Sequence, residues 1–146
     1  MNDAAGSTAL PAPAPAPGAP PAVVGVAILL WAAEPEAPHR LVTPFFHAAA
    51  AAAMELQVEV YFSARSVLLL KPGVADPLRA SVYHAKTVLD AMREAVAHGA
   101  VFYACTDALH ANGLSRDKLI AECRGHGGAV QFMGRVVDPA WRTLVF

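Results

Sequence analysis

The amino-acid sequence predicts an α/β protein with an open parallel sheet of about five strands. Continuous apolar runs, typical of strands covered on both faces, alternate along the chain with segments of helical spacing. No hairpin signal joins one predicted strand to the next, so the strands should run parallel and be connected by helices. A length of 146 residues suits one domain with a buried core and is too short for several.

Five segments have the composition of strands. Residues 23–31 are apolar throughout and are the best candidate for a central strand. Residues 58–62 and 100–104 are shorter runs rich in Val, Tyr and Phe. Residues 129–133 are interpreted as a fourth strand, and residues 141–146 as a fifth that ends the chain at an edge of the sheet.

Helices are predicted between these strands. Thr43 and Pro44 have the composition of an N-cap and first turn, and the Ala-rich stretch after them predicts a helix to Met54. The next helices are expected at 83–98, 106–112 and 115–123, with a short helix or loop at 63–71. On this assignment residues 125–128, Gly-His-Gly-Gly, follow a helix and precede a strand. They are therefore interpreted as a helix C-cap and turn rather than as a phosphate loop.

Residues 1–22 are predicted to be a disordered, extended tail in front of one domain at 23–146. Half of the twelve prolines lie in this stretch, which contains a single charged residue, Asp3. None of the first 39 residues is Lys or Arg, so the basic region of a signal peptide is missing. The apolar run that follows is also too short to cross a bilayer. We therefore expect a cytoplasmic protein.

Charge and motifs exclude several classes of protein. The 11 basic and 12 acidic residues nearly balance, and no basic run is present, so nucleic acids and anionic membranes are not expected partners. Neither a nucleotide-binding glycine fingerprint after the first strand nor a Gly-x-Ser-x-Gly elbow is found. These absences argue against a Rossmann dehydrogenase and a serine hydrolase, and we expect no cofactor.

Cys105 is the candidate catalytic residue. It stands at the end of the strand predicted at 100–104, and reactive groups in open α/β sheets collect at the carboxyl ends of strands. The helix predicted from Thr106 would present unpaired amides to the sulfur, which favour a thiolate and lower the pKa of a cysteine from about 8.5. The alternative interpretation is a buried cysteine that packs as a small hydrophobe.

Thr106, Asp107 and His39 are candidate supporting groups for Cys105. The backbone amides of Thr106 and Asp107 would stabilise the thiolate, although the Asp107 carboxylate would oppose it. His39, in the loop after the first strand, could reach the same edge and act as a proton partner, or simply face solvent. Cys123 is placed near the end of a predicted helix and is interpreted as structural.

A zinc site is a weak alternative. Cys105, His110, Cys123 and His126 are four possible ligands, but their spacing matches no usual zinc motif. We therefore expect no bound metal.

The domain resembles the DsrE/DsrF family of small sulfur-relay proteins over about residues 23–146. The resemblance lies in the order and spacing of several segments, at 41–54, 58–62, 67–71, 101–105, 112–114, 119–120 and 127–132. It implies a three-layer α/β/α fold and homo- or hetero-oligomers such as trimers and hexamers. In the active members of the family, a cysteine after the strand carries sulfur as a persulfide, and Cys105 occupies that position.

These observations together predict a sulfur-relay protein that transfers sulfane sulfur from Cys105 to a partner thiol. A rhodanese-like protein or a small sulfur carrier would be a suitable partner. A second hypothesis is a non-catalytic assembly or binding subunit whose Cys105 is vestigial. A third is a thiol redox protein, which would need Cys123 as its internal resolving thiol.

Overall fold

The computed structural model describes residues 18–146, in which helices cover both faces of a five-stranded parallel sheet. The strand order is β4-β3-β2-β1-β5. The strands are β1 (Gly25–Leu30), β2 (Gln57–Phe62), β3 (Val101–Ala104), β4 (Cys123–His126) and β5 (Trp141–Val145). The α-helices are α1 (Val42–Ala53), α2 (Val88–Ala97), α3 (Thr106–Ala111) and α4 (Ala129–Val137). Short 3-10 helices span Pro38–Arg40, Ala64–Leu70 and Arg116–Lys118.

The two faces of the sheet bury very different amounts of apolar surface. Alternate residues of a strand point to opposite faces, and on one face Ile28, Val60 and Phe102 join a large core with α1 and α2. On the other face Tyr61 and Trp141 pack with Phe132 of α4 in a small cluster. The second face is therefore closed chiefly by α4.

The sequence assignment of four strands is confirmed, with small changes at their ends. β1 lies between β2 and β5, as expected of an interior strand, and β5 forms an edge. The predicted tail lies mostly outside the described residues, and residues 18–22 are exposed and have no helix or strand.

The assignment of the fourth strand is wrong. Residues 129–133 begin the helix α4, and the fourth strand is the preceding segment, Cys123–His126. A short apolar run does not distinguish a strand from a helix, whereas the strand Cys-Arg-Gly-His has almost no apolar residues. Residues 127 and 128 therefore connect a strand to a helix, and the C-cap interpretation of 125–128 is wrong as well.

Three helix boundaries also differ from expectation. Helix α1 begins at Val42, so Pro44 lies within its first turn and Thr43 is not the N-cap. Helix α2 begins at Val88 instead of residue 83, because Thr87 and Asp90 form a capping box. The helix predicted at 115–123 is reduced to one turn at Arg116–Lys118.

No helix within residues 18–146 has the length and apolar character needed to cross a membrane.

Candidate functional site

Cys105 lies where β3 ends and α3 begins, as predicted. Its backbone N–H donates to the carbonyl oxygen of Phe62 at 3.0 Å, which continues the pairing of β3 with β2 by one residue. Its own carbonyl oxygen accepts from the N–H of Leu109 at 3.0 Å, which closes the first turn of α3. Because both backbone groups are engaged, the backbone of Cys105 is held at the junction of β3 and α3. The residue is half-buried and its thiol forms no disulfide, so it is neither enclosed in the core nor fully exposed.

An apolar pocket of about 310 Å³ opens beside Cys105 at the carboxyl ends of the strands. Its walls come from the ends of β1 and β2, from Cys105, and from the first turns of α4. The lining residues are Leu29, Tyr61, Phe62, Ser63, Cys105, Gly127, Gly128, Ala129, Phe132 and Met133. None of these residues carries a charged side chain.

A second, more open cleft of about 430 Å³ reaches Cys105 from a polar side. Thr106, Asp107, Arg116 and His126 line it, together with the glycines before α4. The Arg116 guanidinium donates a hydrogen bond to the hydroxyl of Thr106, the residue that follows Cys105. This hydrogen bond holds the positive charge of Arg116 in the cleft that Cys105 borders. The cysteine thus lies between an apolar pocket and a cleft lined by charged and polar groups.

Gly127 and Gly128 allow the chain to pass close to the sulfur. The N–H of Gly127 donates to the carbonyl oxygen of Ala104 at 3.1 Å, which brings the start of α4 next to the end of β3. A Cβ atom added to Gly128 would lie 3.7 Å from the Cys105 Sγ. At this position even a methyl group would be in van der Waals contact with the sulfur, and the glycine leaves that space open to a ligand.

A partly buried ion pair holds α4 against the sheet and thereby fixes one wall of the apolar pocket. Arg135 donates to both carboxylate oxygens of Glu59, through Nε at 2.9 Å and Nη2 at 2.7 Å. The Tyr61 hydroxyl donates to the same carboxylate at 2.6 Å, and the guanidinium carbon lies 4.0 Å from the centre of the Trp141 ring. This network connects β2, α4 and β5.

The network shifts the pKa values of its members. Burial alone raises the pKa of Glu59, but the hydrogen bonds from Arg135 and Tyr61, with the Arg135 charge, outweigh it, and the pKa is lowered. Burial and the neighbouring Glu59 carboxylate raise the pKa of Tyr61 well above its usual value. The hydrogen bond and charge of Glu59 raise the pKa of Arg135. At neutral pH Glu59 is therefore ionised, Arg135 is protonated and Tyr61 is uncharged.

The structure places the other predicted residues as follows. Thr106 and Asp107 are exposed in the first turn of α3 and line the polar cleft with Cys105. His39 is exposed and lines a separate pocket with Arg40 and Phe146, which Cys105 does not line. His39 is therefore not brought to the cysteine.

Cys123 lies at the start of β4, level with Phe102. Three residues of strand separate that level from Cys105, a distance of roughly 10 Å, so the two thiols cannot form an intrachain disulfide without rearrangement. Cys123 packs against the core, and burial raises the pKa of its thiol. The distance from Cys105 and the raised pKa disfavour Cys123 as an internal resolving thiol.

Across residues 18–146, no group of three or more His, Cys, Asp or Glu residues converges in a way that could hold a metal ion. The sequence offers His126 only as one of four possible zinc ligands with Cys105, and it does not mark Arg116 as a neighbour of the cysteine. The edge position of β4 brings His126 beside the site, because this residue pairs with Ala104. Recognising β4 as a strand would have provided that signal.

The fold and the site define a small α/β protein with an accessible cysteine at the end of a parallel strand. The chain belongs to the DsrE/DsrF-like family, whose model matches residues 26–145. Membership of this family suggests a role related to sulfur relay. A comparison with curated protein sequences gave no significant match.

Two solved structures are similar in fold. The ychN protein from E. coli has a TM-score of 0.64 and 14% identity, over 84% of this chain and 99% of its own. A protein of unknown function from Methanobacterium thermoautotrophicum, MTH1491, has a TM-score of 0.60 and 17% identity, over 83% of this chain and 97% of its own. At these identities the similarity defines the fold alone.

Proposed function

We propose that the protein carries sulfane sulfur as a persulfide on Cys105 and transfers it to an acceptor thiol. The observation that carries the proposal is the position of Cys105. The thiol stands at the carboxyl end of β3, half-buried, and borders both the apolar pocket and the polar cleft. A sulfur carrier needs one such thiol, with room for an additional sulfur atom and access for a second reactant.

In the loading step the Cys105 thiolate attacks the outer sulfur of a donor persulfide. The Cys105 S–S bond forms, the donor S–S bond breaks, and the electron pair leaves on the donor sulfur as a thiolate. In the unloading step an acceptor thiolate attacks the outer sulfur of Cys105-S-SH, and the Cys105 thiolate is released. Each step exchanges one thiolate for another, so no external oxidant or reductant is needed.

The polar cleft supports this chemistry in our proposal. Arg116, held by the Thr106 hydroxyl, places a positive charge where a thiolate or an ionised persulfide would gain from it. The nearby Asp107 carboxylate opposes that effect. We also propose that the chain works as a trimer or hexamer, and that a rhodanese-like protein or a small sulfur carrier exchanges sulfur with it. The chemistry requires reduced thiols, which fits the cytoplasmic location expected from the sequence.

The proposal is tested with persulfide loading of three proteins. Wild type, Cys105→Ser and Cys123→Ser are incubated with an organic persulfide, alkylated, and analysed by mass spectrometry for one added sulfur atom. Wild type and Cys123→Ser should acquire the sulfur, and Cys105→Ser should not. Equal labelling of wild type and Cys105→Ser would contradict the proposal.

A second candidate function is a non-catalytic assembly subunit, and one observation favours it. Along α4, Val130, Met133 and Val137 form an exposed apolar stripe at helical spacing, and Val130 is 90% exposed. Such a stripe is suited to contact with another subunit. If the purified protein forms oligomers that a charged substitution of Val137 disrupts, and Cys105 never accepts sulfur, this function is favoured over sulfur transfer.

A further inference from the structure

The apolar pocket beside Cys105 is larger than sulfur transfer alone requires. Its volume of about 310 Å³ lies at the lower end of pockets that bind small molecules, roughly 300–1,000 Å³. It is about twice the size of a cavity of ~150 Å³ that accommodates benzene. A single sulfur atom would fill a small part of this space.

The lining of the pocket selects against charge. Tyr61 is almost fully buried on the α4 face of the sheet and, with Phe132, provides aromatic walls. The Tyr61 hydroxyl is already used by the Glu59 carboxylate. A charged group that entered would lose its hydration and find no counter-charge among the lining residues, whereas an apolar group would be stabilised by burial.

The pocket also has an entrance beside the reactive atom. Met133 is half exposed at the rim, and its flexible thioether adapts to different apolar shapes. Gly128 carries no side chain between the pocket and the Cys105 Sγ. A ligand held in the pocket by its apolar end can therefore present a sulfur to Cys105.

We propose that this pocket binds the apolar group of a low-molecular-weight thiol, aromatic or alkyl, which exchanges sulfur directly with Cys105. The inference rests on the proposed function and deepens it by naming the substrate class. In the forward direction the thiolate R-S⁻ attacks the outer sulfur of Cys105-S-SH, which gives R-S-SH and the Cys105 thiolate. In the reverse direction the persulfide R-S-SH loads Cys105. Both directions conserve sulfur, protons and charge.

Glutathione provides the comparison substrate. Its carboxylates and ammonium group would meet no charged side chain in the apolar pocket, so we expect it to reach Cys105 through the polar cleft. The two thiols therefore approach the same sulfur by different routes. A substitution that fills only the apolar pocket should affect one of them selectively.

The experiment measures the rate at which each thiol removes sulfur from Cys105. Cys123→Ser protein is loaded with inorganic polysulfide, desalted, and mixed with phenylmethanethiol or glutathione. Rates are expressed per thiolate and compared with those of N-acetylcysteine persulfide, which has no pocket. Relative to that model compound, the protein should favour phenylmethanethiol by roughly tenfold or more.

Two further variants test whether the preference for phenylmethanethiol arises in the apolar pocket. Met133→Trp should fill the pocket and remove the preference, because it should slow transfer to phenylmethanethiol far more than transfer to glutathione. Val137→Trp, one turn further along the same exposed face of α4 and outside the pocket, should keep it. A protein whose preference equals that of the model persulfide, or a Met133→Trp variant that retains the preference, would overturn the inference.

A binding measurement tests the pocket without sulfur chemistry. Toluene, titrated into Cys105→Ser protein, should produce saturable amide shifts at Gly128 and Met133 in NMR spectra, and Met133→Trp should abolish them. No saturable shift would contradict the inference. Failure of Cys105 to load with polysulfide would overturn the proposed function and this inference together, whereas loading without a preference would overturn the inference alone.

Discussion

At the scale of single residues, Gly25 marks a place where a side chain approaches the backbone of the sheet very closely. A Cβ atom added to Gly25 in β1 would lie 2.7 Å from ring atoms of Trp141, closer than such contacts occur. Trp141 also covers the Arg135 guanidinium. The absence of a side chain at Gly25 therefore lets the β5 tryptophan lie flat on the second face of the sheet, beside α4.

Gly25→Ala should destabilise the fold, because the buried indole ring must move to make room for the methyl group. Overpacking of this kind costs about 1–3 kcal/mol in free energy of unfolding. Gly134→Ala is the matched control: this glycine lies within α4 and a Cβ there meets nothing within 4 Å. The control should gain about 0.5–1 kcal/mol from helix propensity. Urea unfolding of both variants measures the effect, and a Gly25→Ala protein as stable as wild type would show that the Trp141 contact is dispensable.

The candidate nucleophile is the residue whose position the sequence predicts best. A parallel sheet and a strand that ends at Ala104 are enough to place Cys105 at a carboxyl end. The neighbours of the sulfur are harder to predict. Arg116 and His126 reach the site through tertiary contacts, and no local sequence signal marks them as a set.

At the scale of elements, α4 determines the shape of the site. It supplies one wall of the apolar pocket, and the pairing of Arg135 with Glu59 holds it against β2. The sequence pattern assigns its first five residues to a strand, because a mostly apolar pentapeptide does not reveal a helical period. The interior strands were easier to predict, since burial on both faces requires continuous apolar runs.

Removal of one partner of the ion pair should be costly. In Arg135→Met the Glu59 carboxylate stays almost buried without its cation, and loss of one partner of a buried pair costs about 3–5 kcal/mol. Arg135 is a third exposed, so we expect a loss nearer ~2 kcal/mol. The double variant Glu59→Gln, Arg135→Met should recover part of that loss. Chemical denaturation of all three proteins tests this, and additive losses in the double variant would contradict the coupling.

The Glu59 carboxylate also predicts a dependence of stability on pH. Its pKa is lowered in the folded protein relative to the usual 4.5, so its stabilising contribution is fully present above that value. The contribution is lost as the pH falls through the lower folded pKa. The difference in unfolding free energy between wild type and Glu59→Gln should therefore be constant near neutral pH and shrink in acid below about pH 4.5. A difference that grows on acidification would have the wrong sign for this pairing.

At the scale of the whole molecule, the sheet and its helices are expected to fold without the Pro/Ala-rich tail. β1 begins at Gly25, and residues 18–22 contribute no strand or helix. Deletion of residues 1–22 should change the free energy of unfolding by less than about 0.5 kcal/mol, as for surface changes away from packed features. Thermal and urea unfolding of the shortened chain, with persulfide loading as a second readout, measure this. A large loss of stability would show that the tail is part of the domain.

The fold class could be predicted from the sequence because it depends on the repeated alternation of apolar and helical segments. The region with the largest errors, from Ser115 to Met133, forms the far edge of the sheet and one wall of the pocket. In this region the strand is polar because it lies at an edge of the sheet, and the helix that follows it begins with apolar residues. The hydrophobicity pattern therefore favours a strand where the helix lies and gives no sign of the strand itself. The polar cleft and the apolar pocket are both lined by residues of this region, so neither could be predicted from the sequence.

The most direct measurement follows isotopically labelled sulfur on the peptide that contains Cys105. Wild-type protein is loaded from a labelled persulfide, chased with an unlabelled acceptor thiol, and digested at successive times for mass spectrometry. The account predicts that label appears on the Cys105 peptide at up to one sulfur atom per chain and then passes to the acceptor. Label that appears first on the Cys123 peptide, or that stays on Cys105 during the chase, would contradict it.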